Sequence, residues 1–123
     1  MGFSVKARLK SFTFAFEGFA HMLRTQHNAW VHLAATVLVV ALGFLLNVSA
    51  DAWRWLIVAL ALVWVAEAVN TAFEHLCDVV QPEFSTSVKR SKDIAAAAVL
   101  VCVVASTLLG AITFAPYVIA VLP

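Results

Sequence analysis

Charge and glycine are both scarce in this chain. Of its 123 residues only 12% are charged, while 63% are hydrophobic, and the mean hydropathy is +0.96. That balance excludes an ordinary water-soluble domain, in which about a quarter of residues are charged. The four glycines, Gly2, Gly18, Gly43 and Gly110, are too scattered for a GxxxxGK[ST] phosphate loop or the glycine-rich loop of protein kinases. Any nucleotide chemistry must therefore use another scaffold. Cys77 and Cys102 form no CxxC pair and fall on different apolar stretches, which argues against a disulfide or a thiolate metal site. A net charge of +1 neither favours nor excludes a nucleic-acid partner. There is no internal repeat and no low-complexity linker. The first apolar run starts too late, and lacks the small-residue cleavage site, for a removable signal peptide, so both ends read as mature protein.

What is abundant is long apolar sequence. A span of the bilayer needs about 20 apolar residues, and three stretches approach that length, at about 29–48, 53–79 and 92–121. The expected fold is an all-α membrane protein of one domain, residues 1–123, with an N-terminal surface helix at about 4–24 before three transmembrane helices. In that surface segment Val5, Leu9, Phe12, Phe16, Phe19 and Leu23 share one stripe, while Lys6, Lys10, Thr13, Glu17 and His21 take another face. The pattern suits an amphipathic helix in the membrane interface. Phe14 breaks it, and an ordinary helix packed on the bundle is the competing reading.

"RTQHNAW" reads as a polar hinge into the first span, whose interior holds one ionisable residue, His32, expected as a hydrogen-bonded packing group. "NVSADAWRW" is a short connection with Asn47, Ser49 and Asp51 as turn and cap formers, so the first two spans form a tight antiparallel hairpin. Pro82 stops the second span, and "QPEFSTSVKR" is a solvated loop, with Ser91 capping the third helix and Asp93 in its first turn. The alanines that follow form a small-residue surface for close helix approach, and Pro116 is expected to kink or fray the last turns. Lys6, Arg8, Lys10, Arg24, Lys89, Arg90 and Lys92 fall on one side of a three-span topology and Arg54 on the other. The positive-inside rule then places the N-terminus and the 81–93 loop in the cytoplasm.

The second span carries the costly residues. Glu67, Asn70, Glu74 and Asp78 fall within roughly an 80° arc of one helix. Intramembrane ionisable groups are expensive and mark function by default. Glu67, the deepest, is the candidate general base, and Glu74, nearer water, is suited to hold a hard cation such as Mg²⁺. For Asp78 an ordinary helix-end carboxylate is an equal reading. Lys89, Arg90 and Lys92 could meet phosphate oxygens near a helix N-terminus, or serve only topology and headgroup contact.

"EAVNTAFEHLCD", followed after a short loop by "KRSKDIAAAAVLV", resembles the signature of the prokaryotic diacylglycerol kinase family, which includes undecaprenol kinases. The resemblance covers nearly the whole chain. It implies three-helix subunits assembled as homotrimers in the bacterial inner membrane, which phosphorylate a lipid hydroxyl with ATP and Mg²⁺. It implies Glu67 as the catalytic base, Asn70 and Ala96 beside it at the lipid, and Glu74 as a carboxylate ligand of the ATP-bound metal. Lys92 and Asp93 match nucleotide-site residues, and Glu83, Phe84 and Ser85 occupy the loop that covers the nucleotide. Gln26 stands where the family has a second metal-binding glutamate, Ala7 where it has an arginine, and Ser85 where some members have histidine. The expected activity is transfer of the ATP γ-phosphoryl group to diacylglycerol or undecaprenol. The alternatives are a small ion-coupled transporter subunit, disfavoured by the Lys92–Asp93 pair, and an impaired scaffold of the same fold, suggested by Gln26.

Overall fold

The computed structural model describes residues 4–123, and among them the order is four helices: α1 (Val5–Thr25), α2 (His27–Leu45), α3 (Ala50–Val80) and α4 (Thr86–Val121). Three of these, α2, α3 and α4, are long and apolar enough to cross a membrane. By helical rise α3 is about 46 Å long and α4 about 54 Å, against a hydrocarbon core of roughly 30 Å. Both helices therefore have ends to spare beyond the apolar layer.

The helix ends follow local chemistry. Ser4 caps α1 by accepting from the Ala7 N–H, and Ser49 caps α3 by accepting from the Ala52 N–H at 3.2 Å, with Asp51 in the favourable first turn. The hinge between α1 and α2 is a single extended residue, Gln26. At the end of α2, Asn47 takes a left-handed φ of 48°, and its N–H reaches the Phe44 carbonyl while the Val48 N–H reaches that of Gly43. These two bonds are the Schellman pattern, and asparagine accepts the backbone conformation it needs.

The polar loop after α3 is shorter than the sequence pattern suggests. Ser85, not Ser91, caps α4, accepting from the Val88 N–H. Ser91 lies inside the helix and donates to the Ser87 carbonyl. Nothing between Thr86 and Lys92 breaks a helix, so the cap nearest the proline prevails. Lys92 and Asp93 consequently sit about two turns inside α4, away from its N-terminal amides. Pro116 lies within α4 without ending it.

α2, α3 and α4 run antiparallel in sequence order, and α3 packs chiefly on α4. The core lies at the 46–49 turn: Val48, Ala52 and Leu56 are buried, with Val39, Leu46, Trp53, Phe114 and Tyr117 against them. Tyr117 ties α4 to that turn, its hydroxyl donating to Ser49 Oγ and accepting the Ser49 N–H, both at 3.0 Å. Further along, Ser106 donates to the Ala59 carbonyl at 2.8 Å. On α1, only Met22 is buried, while Val5, Leu9, Phe12, Phe14 and Phe16 are exposed. The firm core is thus at one end of the bundle, and the polar row of α3 points toward the other.

Candidate active site

α3 changes character at Glu67, and each polar side chain of its row meets a different partner. Glu67 is the most enclosed, 1% exposed. Its Oε2 lies 3.3 Å from Nε2 of His32 on α2. One turn on, Asn70 donates through Nδ2 to Glu74 Oε1 at 3.2 Å, and both residues are half-buried. Asn70 Oδ1 and Thr71 Oγ1 are buried without a hydrogen-bond partner. At the end of the row Asp78, exposed, accepts from Lys92 Nζ of α4 at 2.7 Å. A single helical face therefore runs from a desolvated carboxylate, through an amide and a half-buried carboxylate, to a solvated ion pair.

The partner of Glu67 is the residue that reading α3 alone misses. Its signal lies in the hairpin: the distances of His32 and Glu67 from the 46–49 turn differ by about one helical turn, so antiparallel packing brings them near one level. The same register brings Trp64 Nε1–H to Thr36 Oγ1 at 2.9 Å. His32 is thus hydrogen-bonded, as expected for an intramembrane histidine, and its partner is the deepest carboxylate.

Gln26 is placed by the same antiparallel logic. Stepping back from His32 to Gln26 along α2 covers about 9 Å, and stepping forward from Glu67 to Glu74 along α3 covers about 10 Å in the same direction. The half-buried Gln26 therefore lies near the depth of Glu74. It joins α1 to α2, and its side chain makes no capping bond there.

The remaining candidates surround the loop end. Glu83 and Phe84 are exposed, Phe84 at 83%, and Glu83 contributes a backbone carbonyl that accepts from Gln81 Nε2. Ser85 is committed to capping α4. Asp93 accepts from Lys89 one turn before it at 2.7 Å, and Ala96 is exposed. The Lys89–Asp93 and Lys92–Asp78 pairs are exposed or partly so, and solvent screening leaves such pairs little net stabilisation.

Among the described residues no group of three or more His, Cys, Asp and Glu could hold a metal ion. Magnesium does not demand one, because it is bound through one or two carboxylates together with substrate phosphates and water. The half-buried Glu74 carboxylate is an oxygen donor of that kind, and the Gln26 amide oxygen is a neutral donor at similar depth. An enclosed carboxylate, graded oxygen donors and paired cations on an apolar helical scaffold are the features of a membrane protein with a polar site at one end of its bundle.

Comparison with known proteins narrows that class. Residues 13–114 match the profile of the prokaryotic diacylglycerol kinase family, and the chain belongs to this family. It is 35% identical over 107 residues to the undecaprenol kinase of Bacillus subtilis, covering 87% of each chain. It is 33% identical over 109 residues to the diacylglycerol kinase of Synechocystis, covering 88% of this chain and 62% of that protein.

Proposed function

We propose that this protein is a membrane lipid kinase that transfers the γ-phosphoryl group of ATP to the hydroxyl of a lipid alcohol, diacylglycerol or undecaprenol. Family membership supports the reaction class, and the relatives' names supply the two acceptors. The observation that carries the reading is the grading of the α3 row, from the enclosed Glu67 to the solvated Asp78. A lipid hydroxyl and a water-soluble nucleotide must meet across that kind of boundary.

Phosphoryl transfer needs little covalent work from the protein. It needs alignment and neutralisation of charge. Glu67 accepts the hydroxyl proton as the oxygen attacks, and Asn70 orients the acceptor through its otherwise unpartnered Oδ1. Ala96 leaves room beside α3 for the lipid. Glu74, with Gln26, holds Mg²⁺, which when bound neutralises phosphate charge. Lys92 turns from Asp78 to the phosphates, Asp93 orders the same side of the nucleotide, and Glu83, Phe84 and Ser85 lie over it. Family membership does not favour the ion-coupled transporter.

The exposed alanine face of α4 and the many exposed apolar residues support assembly with further copies, most simply a homotrimer in which a neighbour completes each site. The clustering of Lys6, Arg8, Lys10, Arg24 and the 89–92 cations supports an inner-membrane orientation with α1 and the 81–85 loop on the cytoplasmic side, α1 lying in the interface. The test is incubation of purified protein in mixed micelles with Mg-ATP and either lipid alcohol. Phosphorylation of at least one is expected, and failure with both overturns the assignment.

A further inference from the structure

Burying a carboxylate in an apolar bundle requires something to hold it, and here the holder comes from another helix. His32 and Glu67 side chains are 11% and 1% exposed, with Nε2 and Oε2 3.3 Å apart. The histidine is itself constrained. Its ring stands edge-on to Trp64, with centroids 6.1 Å apart at 72°. One turn along α2, the Thr36 hydroxyl donates to the His32 carbonyl at 2.7 Å and accepts from Trp64 Nε1. Trp64 in turn packs against Phe19 of α1 at 5.0 Å. Three helices therefore fix where the imidazole points.

We propose that His32 is the positioning residue of the Glu67 base: its Nε2–H donates to Glu67 Oε2, turns the carboxylate, and leaves Oε1 to receive the acceptor's proton. This rests on the reading of Glu67 as proton acceptor. An ionised carboxylate has only acceptor sites, so for Glu67 to act as a base the facing imidazole must be the donor. In the transfer, the lipid O–H proton passes to Oε1 and the lipid oxygen bonds to the γ-phosphorus. The bond from that phosphorus to the β,γ-bridging oxygen breaks, and ADP leaves with its electron pair. The His32 proton stays in place throughout. A carboxylate free to rotate about its terminal torsion would lose that alignment, which appears in kcat and not in nucleotide binding.

The experiment compares wild type with His32→Leu, His32→Gln and Glu67→Gln in mixed micelles, measuring kcat and the KM for Mg-ATP. His32→Leu should lower kcat about 10- to 100-fold with that KM within about twofold. His32→Gln, whose side-chain amide can donate to the same oxygen, should recover kcat to within about tenfold of wild type. If His32→Leu does not accumulate as folded helical protein, His32→Asn replaces it, because its shorter amide falls short of Glu67, and the same kcat loss is expected. Wild-type kcat in the Leu or Asn variant overturns the proposal. So does a change confined to KM, or a Gln variant no more active than the Leu or Asn variant at equal helical content. Glu67→Gln separates the two levels. If that variant is fully active, the base assignment itself fails; if it is inactive beside a fully active His32→Leu, only the positioning role fails.

Discussion

Glu67 and Glu74 lie two turns apart on one face of α3, yet their surroundings differ. Glu67 is enclosed and paired with a histidine, whereas Glu74 is half-buried beside an amide and one turn nearer the exposed Asp78. The first environment suits proton transfer and the second suits a hydrated cation. Gln26, near the depth of Glu74, brings an oxygen but no charge. Gln26→Glu should therefore lower the Mg²⁺ concentration needed for half-maximal activity by roughly threefold to tenfold, measured by titrating Mg²⁺ at saturating ATP. An unchanged requirement would remove Gln26 from the metal's surroundings. The carboxylate row was legible in the sequence because helical periodicity alone aligns positions 67, 70, 74 and 78. The His32 contact was not, because it depends on the register between two helices, which periodicity within either one does not contain.

The α2–α3 hairpin sets that register and so sets the site. Its turn is held by the Schellman bonds at Asn47 and Val48, and its close approach depends on Gly43, where an added Cβ would stand 2.5 Å from the Trp53 ring. Gly43→Val should destabilise the bundle by about 2 kcal/mol through overpacking, read as earlier loss of helical circular dichroism on SDS or thermal unfolding. An unchanged transition would mean that the ring moves freely aside. The same shift between α2 and α3 would displace His32 from Glu67. Caps and breakers made this hairpin readable: Ser49 and Asp51 open α3, and Pro82 closes it. The start of α4 was harder, since Ser85 and Ser91 are equally good caps by residue type. Only helix continuity through Thr86–Arg90 decides between them, and it places Lys92 against Asp78 instead of at a helix N-terminus.

The whole molecule buries little of itself. Large apolar side chains such as Leu76, Ile94, Leu100, Val104 and Leu108 remain exposed on α3 and α4, surfaces suited to lipid or to further copies of the chain. Crosslinking in bilayers should give a discrete trimer, and monomers alone would contradict the shared-site part of the proposal. Composition made the membrane class plain from the start, while the partner surfaces were illegible because lipid and a neighbouring helix select the same residues. The central claim is that Glu67 is the proton acceptor of a lipid kinase. Its most direct test is phosphate transfer from labelled Mg-ATP to diacylglycerol and to undecaprenol by wild type and Glu67→Gln, matched for helical content. The account predicts a labelled lipid product from wild type and a loss of at least about 100-fold in the variant; equal labelling by the two proteins would contradict it.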